Sequence, residues 1–211
     1  MREQTLQKIF SDKAIAVIRL NDAEKIMPVV DAIAEGGIRI IELTFTTPNA
    51  IRLIQQLSSR QEILVGAGTV LNEADALAAI ENGARFLVTP VLKLDLIELA
   101  HRHHVPVMIG AMTPTEIYTA WTHGADVVKV FPAEVVGTQF FKSVRAPLPN
   151  INMMPTGGVT LTNAGEWLAA GACAVGIGGA LLDSKAIADH DFEQLTENAR
   201  IFRKSIENFK K

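Results

Sequence analysis

Eight short apolar bursts, separated by helix-length amphipathic stretches, run along this chain from residue 14 to residue 179, and nothing else limits its possible folds so strongly. The bursts are A-I-A-V-I-R (14–19), I-R-I-I-E-L-T-F (38–45), I-L-V-G-A-G-T-V (63–70), R-F-L-V-T-P (85–90), V-P-V-M-I-G-A (105–111), V-V-K-V-F-P (127–132), I-N-M-M-P-T-G-G (151–158) and A-C-A-V-G-I-G-G (172–179). Each is short enough for a strand, and their near-continuous apolar character fits strands buried on both faces. The intervening segments open on cap-like residues and often close on glycine, as in N-D-A-E-K-I-M-P-V-V-D-A-I-A-E-G-G and T-P-T-E-I-Y-T-A-W-T-H-G. Pro114 falls at a first helical position, and Gly36, Gly83, Gly124 and Gly171 each precede a strand as candidate left-handed helix ends.

Strands alternating with helices imply either a closed (β/α)8 barrel or an open doubly wound sheet. The even strand count and the lack of an early G-x-G-x-x-G favour the α/β (β/α)8 TIM barrel, with a short N-terminal helix at about residues 2 to 11. No linker rich in Gly, Ser or Pro interrupts the pattern, so residues 1–211 are expected to form a single domain.

Composition narrows the function. A charged fraction of 20% and a formal net charge of −3 give no field able to hold a polyanion, which argues against nucleic acid as a partner. No apolar run reaches bilayer-spanning length and the start does not resemble a secretory signal, so no membrane partner and a cytoplasmic location are expected. Cys173, the single cysteine, lies in G-A-C-A-V-G-I and is expected to be a buried core thiol. The H-R-H-H run at 101–104 lacks acidic or cysteine partners at ligand spacing and is expected to be a solvated helix end, not a metal site.

In a barrel the working face lies at the C-terminal ends of the strands, where this sequence has Arg19, Glu42, Thr44, Thr46, Thr69, Thr89, Lys129 and Thr156. Alternation puts Lys129 on the side of Val127 and Phe131, and Glu42 on the side of Ile40 and Thr44. Two charges among aliphatic side chains must pair, or one must be neutral during part of a working cycle. A structural ion pair, or a lysine snorkelling to the rim, is one reading; a desolvated amine that forms a Schiff base is the other. The pairs Gly157–Gly158 and Gly178–Gly179 close the seventh and eighth bursts, where barrels commonly hold phosphate, although tight turns would use the same residues. Thr160 and Thr162 are read as caps for the helix that follows.

Taken in order, A-V-I-R, G-G-I-R-I-I-E-L-T, V-G-A-G-T-V, G-A-R-F-L-V-T-P, T-P-T-E, K-V-F-P-A-E, M-P-T-G-G-V and G-I-G-G resemble the 2-keto-3-deoxy-6-phosphogluconate (KDPG) and 4-hydroxy-2-oxoglutarate (KHG) aldolases over residues 14–182. The resemblance implies a class I aldolase without cofactor or metal, usually a homotrimer, acting on a small 2-oxo acid. It implies Lys129 as the Schiff-base lysine and Glu42 as the acid/base. It further implies Arg19 and Thr69 near the pyruvate carboxylate, Pro90 and Phe131 lining the pocket, Thr156 beside the reacting carbons, and Gly157, Gly158, Gly178 and Gly179 on the phosphate.

Three departures stand out: Thr46 where some members carry arginine, Ala180 where a serine can follow the second glycine pair, and the segment T-P-V-L (89–92), which lacks the glycine often found after that proline. The alternatives are a phosphosugar isomerase or epimerase on the same barrel, or a barrel that binds a phosphorylated metabolite without chemistry.

Overall fold

The computed structural model describes residues 1–210 and consists of eight parallel strands with helices between them. The first helix α1 (Arg2–Asp12) leads into β1 (Ala14–Ile18); a short 3-10 turn (Ala23–Lys25) then precedes α2 (Ile26–Glu35) and β2 (Ile40–Thr44). The alternation continues through α3 (Ala50–Ser58), β3 (Leu64–Gly68), α4 (Glu73–Glu81), β4 (Leu87–Val88), α5 (Asp95–Arg102), β5 (Val107–Ala111), α6 (Pro114–Thr122) and β6 (Val127–Val130). It ends with α7 (Gly137–Arg145), β7 (Met153–Pro155), α8 (Ala164–Ala169), β8 (Val175–Ile177), α9 (Ser184–Ala188) and α10 (Phe192–Glu207).

Neighbouring strands pair in the order β7-β6-β5-β4-β3-β2-β1-β8, and a parallel bridge between Thr156 and Gly176 joins the two ends of the sheet. The barrel expected from the strand count is therefore the fold, with the N-terminal helix in place. Among the described residues no helix is long and apolar enough to cross a membrane.

Alternation sorts the strand residues into two cores. Ile15, Ile40, Leu64, Phe86, Val88, Met108, Val127, Met154 and Ala174 form the interior cluster. Ile9, Leu6 and Phe10 of α1 pack against it and close the N-terminal end. Their outward-facing neighbours, among them Ile41, Val65, Ile109 and Val128, join the helices in the larger outer cluster. Burial on both faces explains why the bursts read as continuous apolar runs. The helix ends follow local chemistry. Thr113 and Glu116 form a reciprocal capping box with Pro114 just inside α6, and three donors from Met112 and Thr113 hold the Glu116 carboxyl below its usual range.

Gly83, Gly124 and Gly171 take the expected left-handed conformation, with φ of 97°, 98° and 100°. Gly36 does not: its φ is −70°, and Gly37 turns the chain instead, at φ 98°. Gly36 is needed for a different reason. A Cβ there would lie 2.6 Å from the Thr196 carbonyl and against Ala199, so the missing side chain lets α10 seat on α2.

A second correction concerns His101. Its Nε2 lies 3.1 Å from Asp126, whose side chain is 2% exposed at the start of β6. Arg2 Nε and Nη2 donate to the same carboxylate at 2.9 and 2.6 Å, and the Val107 N–H donates at 2.9 Å. These partners make burial of the carboxylate tolerable and tie α1 and α5 to the bottom of the barrel. His103 and His104 are exposed at the helix end, as expected. Among the described residues no group of three or more His, Cys, Asp or Glu could hold a metal ion.

Candidate active site

β2 and β6 stand opposite each other, separated by three strands in either direction around the barrel. Each aims one charged side chain into the bore. Lys129 Nζ donates to Glu42 Oε1 at 3.3 Å, and the two residues are 5% and 0% exposed. Opposed side chains can meet across a barrel only where the positions between them are small. A Cβ at Gly68 would strike the Glu42 carboxylate, one at Gly66 would lie 2.5 Å from the Phe86 ring, and one at Gly110 would strike the backbone of Pro90 and Val91. Gly176 makes the same allowance for Thr156, whose Oγ1 would lie 2.5 Å from an added Cβ. Of these strand glycines, Gly68 leaves the Glu42 carboxylate its room in the bore, while the others admit the side chains and backbone of neighbouring strands and loops.

The pair is incompletely satisfied. Glu42 Oε2 and Thr156 Oγ1 are buried without a hydrogen-bond partner. In a protein interior such atoms each cost about 1 to 3 kcal/mol; one belongs to the ion pair itself and the other to a residue that lines the neighbouring pocket. The Phe131 ring centroid lies 5.4 Å from Lys129 Nζ, in the range where an aromatic face attracts a cation.

Phe131, the neighbour of Lys129, also lines a pocket of about 820 Å³, whose wall includes neither Lys129 nor Glu42. The pocket's lining includes Phe131, Thr156, Arg19 and Leu20, and both glycine pairs, Gly157–Gly158 and Gly178–Gly179. β1 pairs with β8, which sets the loop carrying Arg19 next to the loop carrying the second glycine pair. Arg19 is exposed and has no carboxylate partner among the described residues.

The two glycine pairs differ in physical need. Gly157 and Gly158 both lie in the left-handed region, at φ 91° and 70°, and a Cβ on either would meet Glu134, so the turn itself requires them. Gly179 is under neither constraint: its φ is ordinary and a Cβ would meet nothing within 4 Å. Its effect is to leave the pocket wall bare, with backbone open to a ligand.

Two of the candidates lie elsewhere on the rim. Thr69, at φ 58° after β3, and Pro90, after β4, do not line this pocket. Thr46 is exposed above β2, and its hydroxyl lies 2.9 Å from that of the buried Thr44. Thr160 and Thr162 do not cap α8; Asn163 precedes the helix, accepts from the Thr160 N–H at 2.8 Å and donates to the Gly158 carbonyl at 2.9 Å, fixing the first glycine loop. Cys173 is half-buried against the interior cluster, and burial pushes its thiol up to about 12, which leaves it inert as a nucleophile near neutrality.

The sequence did not single out Lys25 and Ser184, both of which line the pocket. Ser184 brings a hydroxyl to the wall that also holds Ala180. Lys25 lies inside an amphipathic segment that reads as ordinary helix; its position in the loop after β1, on the working face, was the available signal.

Similarity to known proteins points one way. A 2-dehydro-3-deoxy-phosphogluconate aldolase from Pseudomonas aeruginosa is 36% identical over 200 residues, covering 93% of this chain and 89% of the relative. A Legionella pneumophila KDPG aldolase, solved with pyruvate captured as a covalent carbinolamine intermediate, superposes with a TM-score of 0.85 at 28% identity, covering 92% of this chain and 96% of its own. A cube-shaped protein cage, designed by fusing symmetric oligomeric domains, matches with a TM-score of 0.84 at 29% identity, over 94% of this chain and 73% of the cage chain. The family model for KDPG and KHG aldolase matches residues 6–198. With an opposed lysine and glutamate in the bore of an eight-stranded barrel, and with relatives alike along nearly the whole chain, the protein belongs to the KDPG and KHG aldolase family.

Proposed function

We propose that the chain is a class I aldolase that cleaves 2-dehydro-3-deoxy-6-phosphogluconate to pyruvate and glyceraldehyde 3-phosphate, and 4-hydroxy-2-oxoglutarate to pyruvate and glyoxylate. The observation that carries this reading is the buried Lys129–Glu42 pair at 3.3 Å, placed beside an open pocket. An amine attacks a carbonyl only in its neutral form, and Glu42 is the group within reach of the ammonium proton.

The steps follow from that proximity. Lys129 Nζ adds to C2 of the 2-oxo acid, giving a carbinolamine. Glu42 donates a proton as water leaves, and a protonated imine forms. The C3–C4 bond then breaks, its electron pair moving into the imine to give an enamine while Glu42 takes the C4 hydroxyl proton and the aldehyde departs. Protonation at C3 and hydrolysis release pyruvate and restore the amine. Thr156, which lines the pocket with an unpartnered hydroxyl, hydrogen-bonds the oxygens on the reacting carbons. Arg19, exposed and without a carboxylate partner among the described residues, is the cation for the substrate's negative charge; Phe131 shields the imine from water. Gly157, Gly158, Gly178 and Gly179 receive the phosphate, with the bare wall at Gly179 supporting that role. Thr69, which follows Gly68 beside Glu42, is assigned to the substrate carboxylate, and Pro90, packed against Gly110, to the lining on that side.

The direct test is borohydride reduction in the presence of pyruvate, with peptide mass spectrometry. A stable increment on Lys129, together with pyruvate release in a coupled assay, is the expected result. A phosphosugar isomerase would give neither, and a barrel that only binds would give saturable binding without pyruvate.

We further propose a cytoplasmic homotrimer. Leu71, Val91 and Tyr118 are large apolar residues about half exposed, and the similarity to a chain used as a symmetric oligomeric building block supports self-association. Sedimentation equilibrium should give three times the chain mass; the mass of one chain would overturn the assembly.

A further inference from the structure

The proposed chemistry does not use Lys25, yet its placement is unusual for a lysine. It is half-buried at the end of the 3-10 turn after β1, and its Nζ donates to the Ile187 carbonyl of α9 at 3.0 Å. That bond occupies one of three ammonium donors and leaves two. No carboxylate pairs with it among the described residues. Asp22, the acidic residue in the same wall, instead accepts from the Glu24 N–H at 3.0 Å.

The Ile187 carbonyl, in the last turn of α9, offsets part of the ammonium charge but no carboxylate does, and Lys25 lines the same pocket as Gly178, Gly179 and Ser184. Phe131, the pocket residue beside Lys129, follows β6, whereas Lys25 comes from the loop after β1 and is strapped to α9, which follows β8. The wall carries Ala180, which offers no side-chain donor. Anchoring a flexible lysine stem in advance also lowers the cost of ordering it on an anion.

We propose that Lys25 is a specificity-determining residue: its ammonium, held by the Ile187 carbonyl, binds the distal phosphate of the six-carbon substrate. This rests on the aldolase reading above and adds to it the cation that favours phosphorylated over short substrates.

Lys25→Gln removes the charge but retains a donor for Ile187. Its ratio of kcat/KM for the phosphorylated substrate to that for 4-hydroxy-2-oxoglutarate should fall by about tenfold or more, as for loss of a charge-assisted hydrogen bond. Inorganic phosphate should inhibit it correspondingly more weakly, and Lys25→Arg should restore most of the ratio. Equal losses on both substrates, or unchanged phosphate inhibition, would reduce Lys25 to a strap.

A measurement on the unaltered protein removes dependence on the variants folding. Inorganic phosphate should slow acetylation of Lys25 by acetic anhydride relative to Lys142 and Lys204, and equal rates would overturn the proposal. If pyruvate and borohydride leave no adduct on the unaltered protein, the aldolase reading itself fails. An adduct with phosphate binding indifferent to Lys25 defeats only this inference.

Discussion

Replacing Lys129 with methionine should lower pyruvate release by about three orders of magnitude or more, equivalent to at least ~4 kcal/mol of barrier, and should abolish the borohydride-trapped pyruvate adduct. Methionine has nearly the length and volume of the lysine stem, so the interior around Val127, Met108 and Met154 keeps its filling. What it lacks is the one nitrogen positioned to bond a carbonyl carbon. The same change takes the partner from a carboxylate that is 0% exposed, and breaking a buried pair costs about 3 to 5 kcal/mol. The double variant Lys129→Met/Glu42→Gln removes both charges, so it should recover much of that stability while remaining inactive. Urea denaturation of the two variants therefore separates loss of chemistry from loss of fold. Turnover by the single variant within about tenfold of the unaltered enzyme would exclude Lys129 as the nucleophile.

Much of this site was legible because strand alternation is a strict rule. Lys129 with Val127, and Glu42 with Ile40, share a side, and Val127 and Ile40 both fall in the interior cluster. Local pattern leaves the inward direction open; the barrel chooses it, since only one side of each strand can face the α1 plug. The meeting of the pair depends on β2 and β6 lying opposite each other, a consequence of closure over 87 residues of sequence. Gly66, Gly68 and Gly110 could not be interpreted before that closure, because their purpose is what a neighbouring strand places against them.

Long-range partners account for the other misses. Asp126 and His101 are 25 residues apart, and Arg2 reaches the same carboxylate from 124 residues away, so H-R-H-H looked like a plain helix end. Gly36 shows the same limit: the sequence makes it the candidate left-handed helix end, whereas Gly37 makes the turn and Gly36 is held without a side chain by its contact with α10. Thr69 and Pro90 do not line the pocket between β1 and β8, a distinction that strand-end position does not carry, but Lys129 and Glu42 do not line it either, so this does not remove them from the site.

Glu42→Gln separates the two halves of the reaction. The substitution is nearly isosteric, and the space it needs exists because position 68 is glycine; a side chain there would collide with the carboxylate. An amide in that place keeps a polar partner near Lys129 Nζ but cannot accept and return a proton. Carbinolamine dehydration and the C4 hydroxyl both need that transfer, so kcat for cleavage should fall by about 10²- to 10⁴-fold, the usual contribution of a positioned acid/base. Imine formation also has a slower route through solvent protons, because the pocket beside the pair is open, so prolonged incubation with pyruvate and borohydride should still label Lys129. The diagnostic result is a labelled but nearly inactive enzyme. If label and turnover disappear together, Glu42 serves chiefly to hold the amine in place; if turnover persists within about threefold, another group moves the proton and the buried pair is structural.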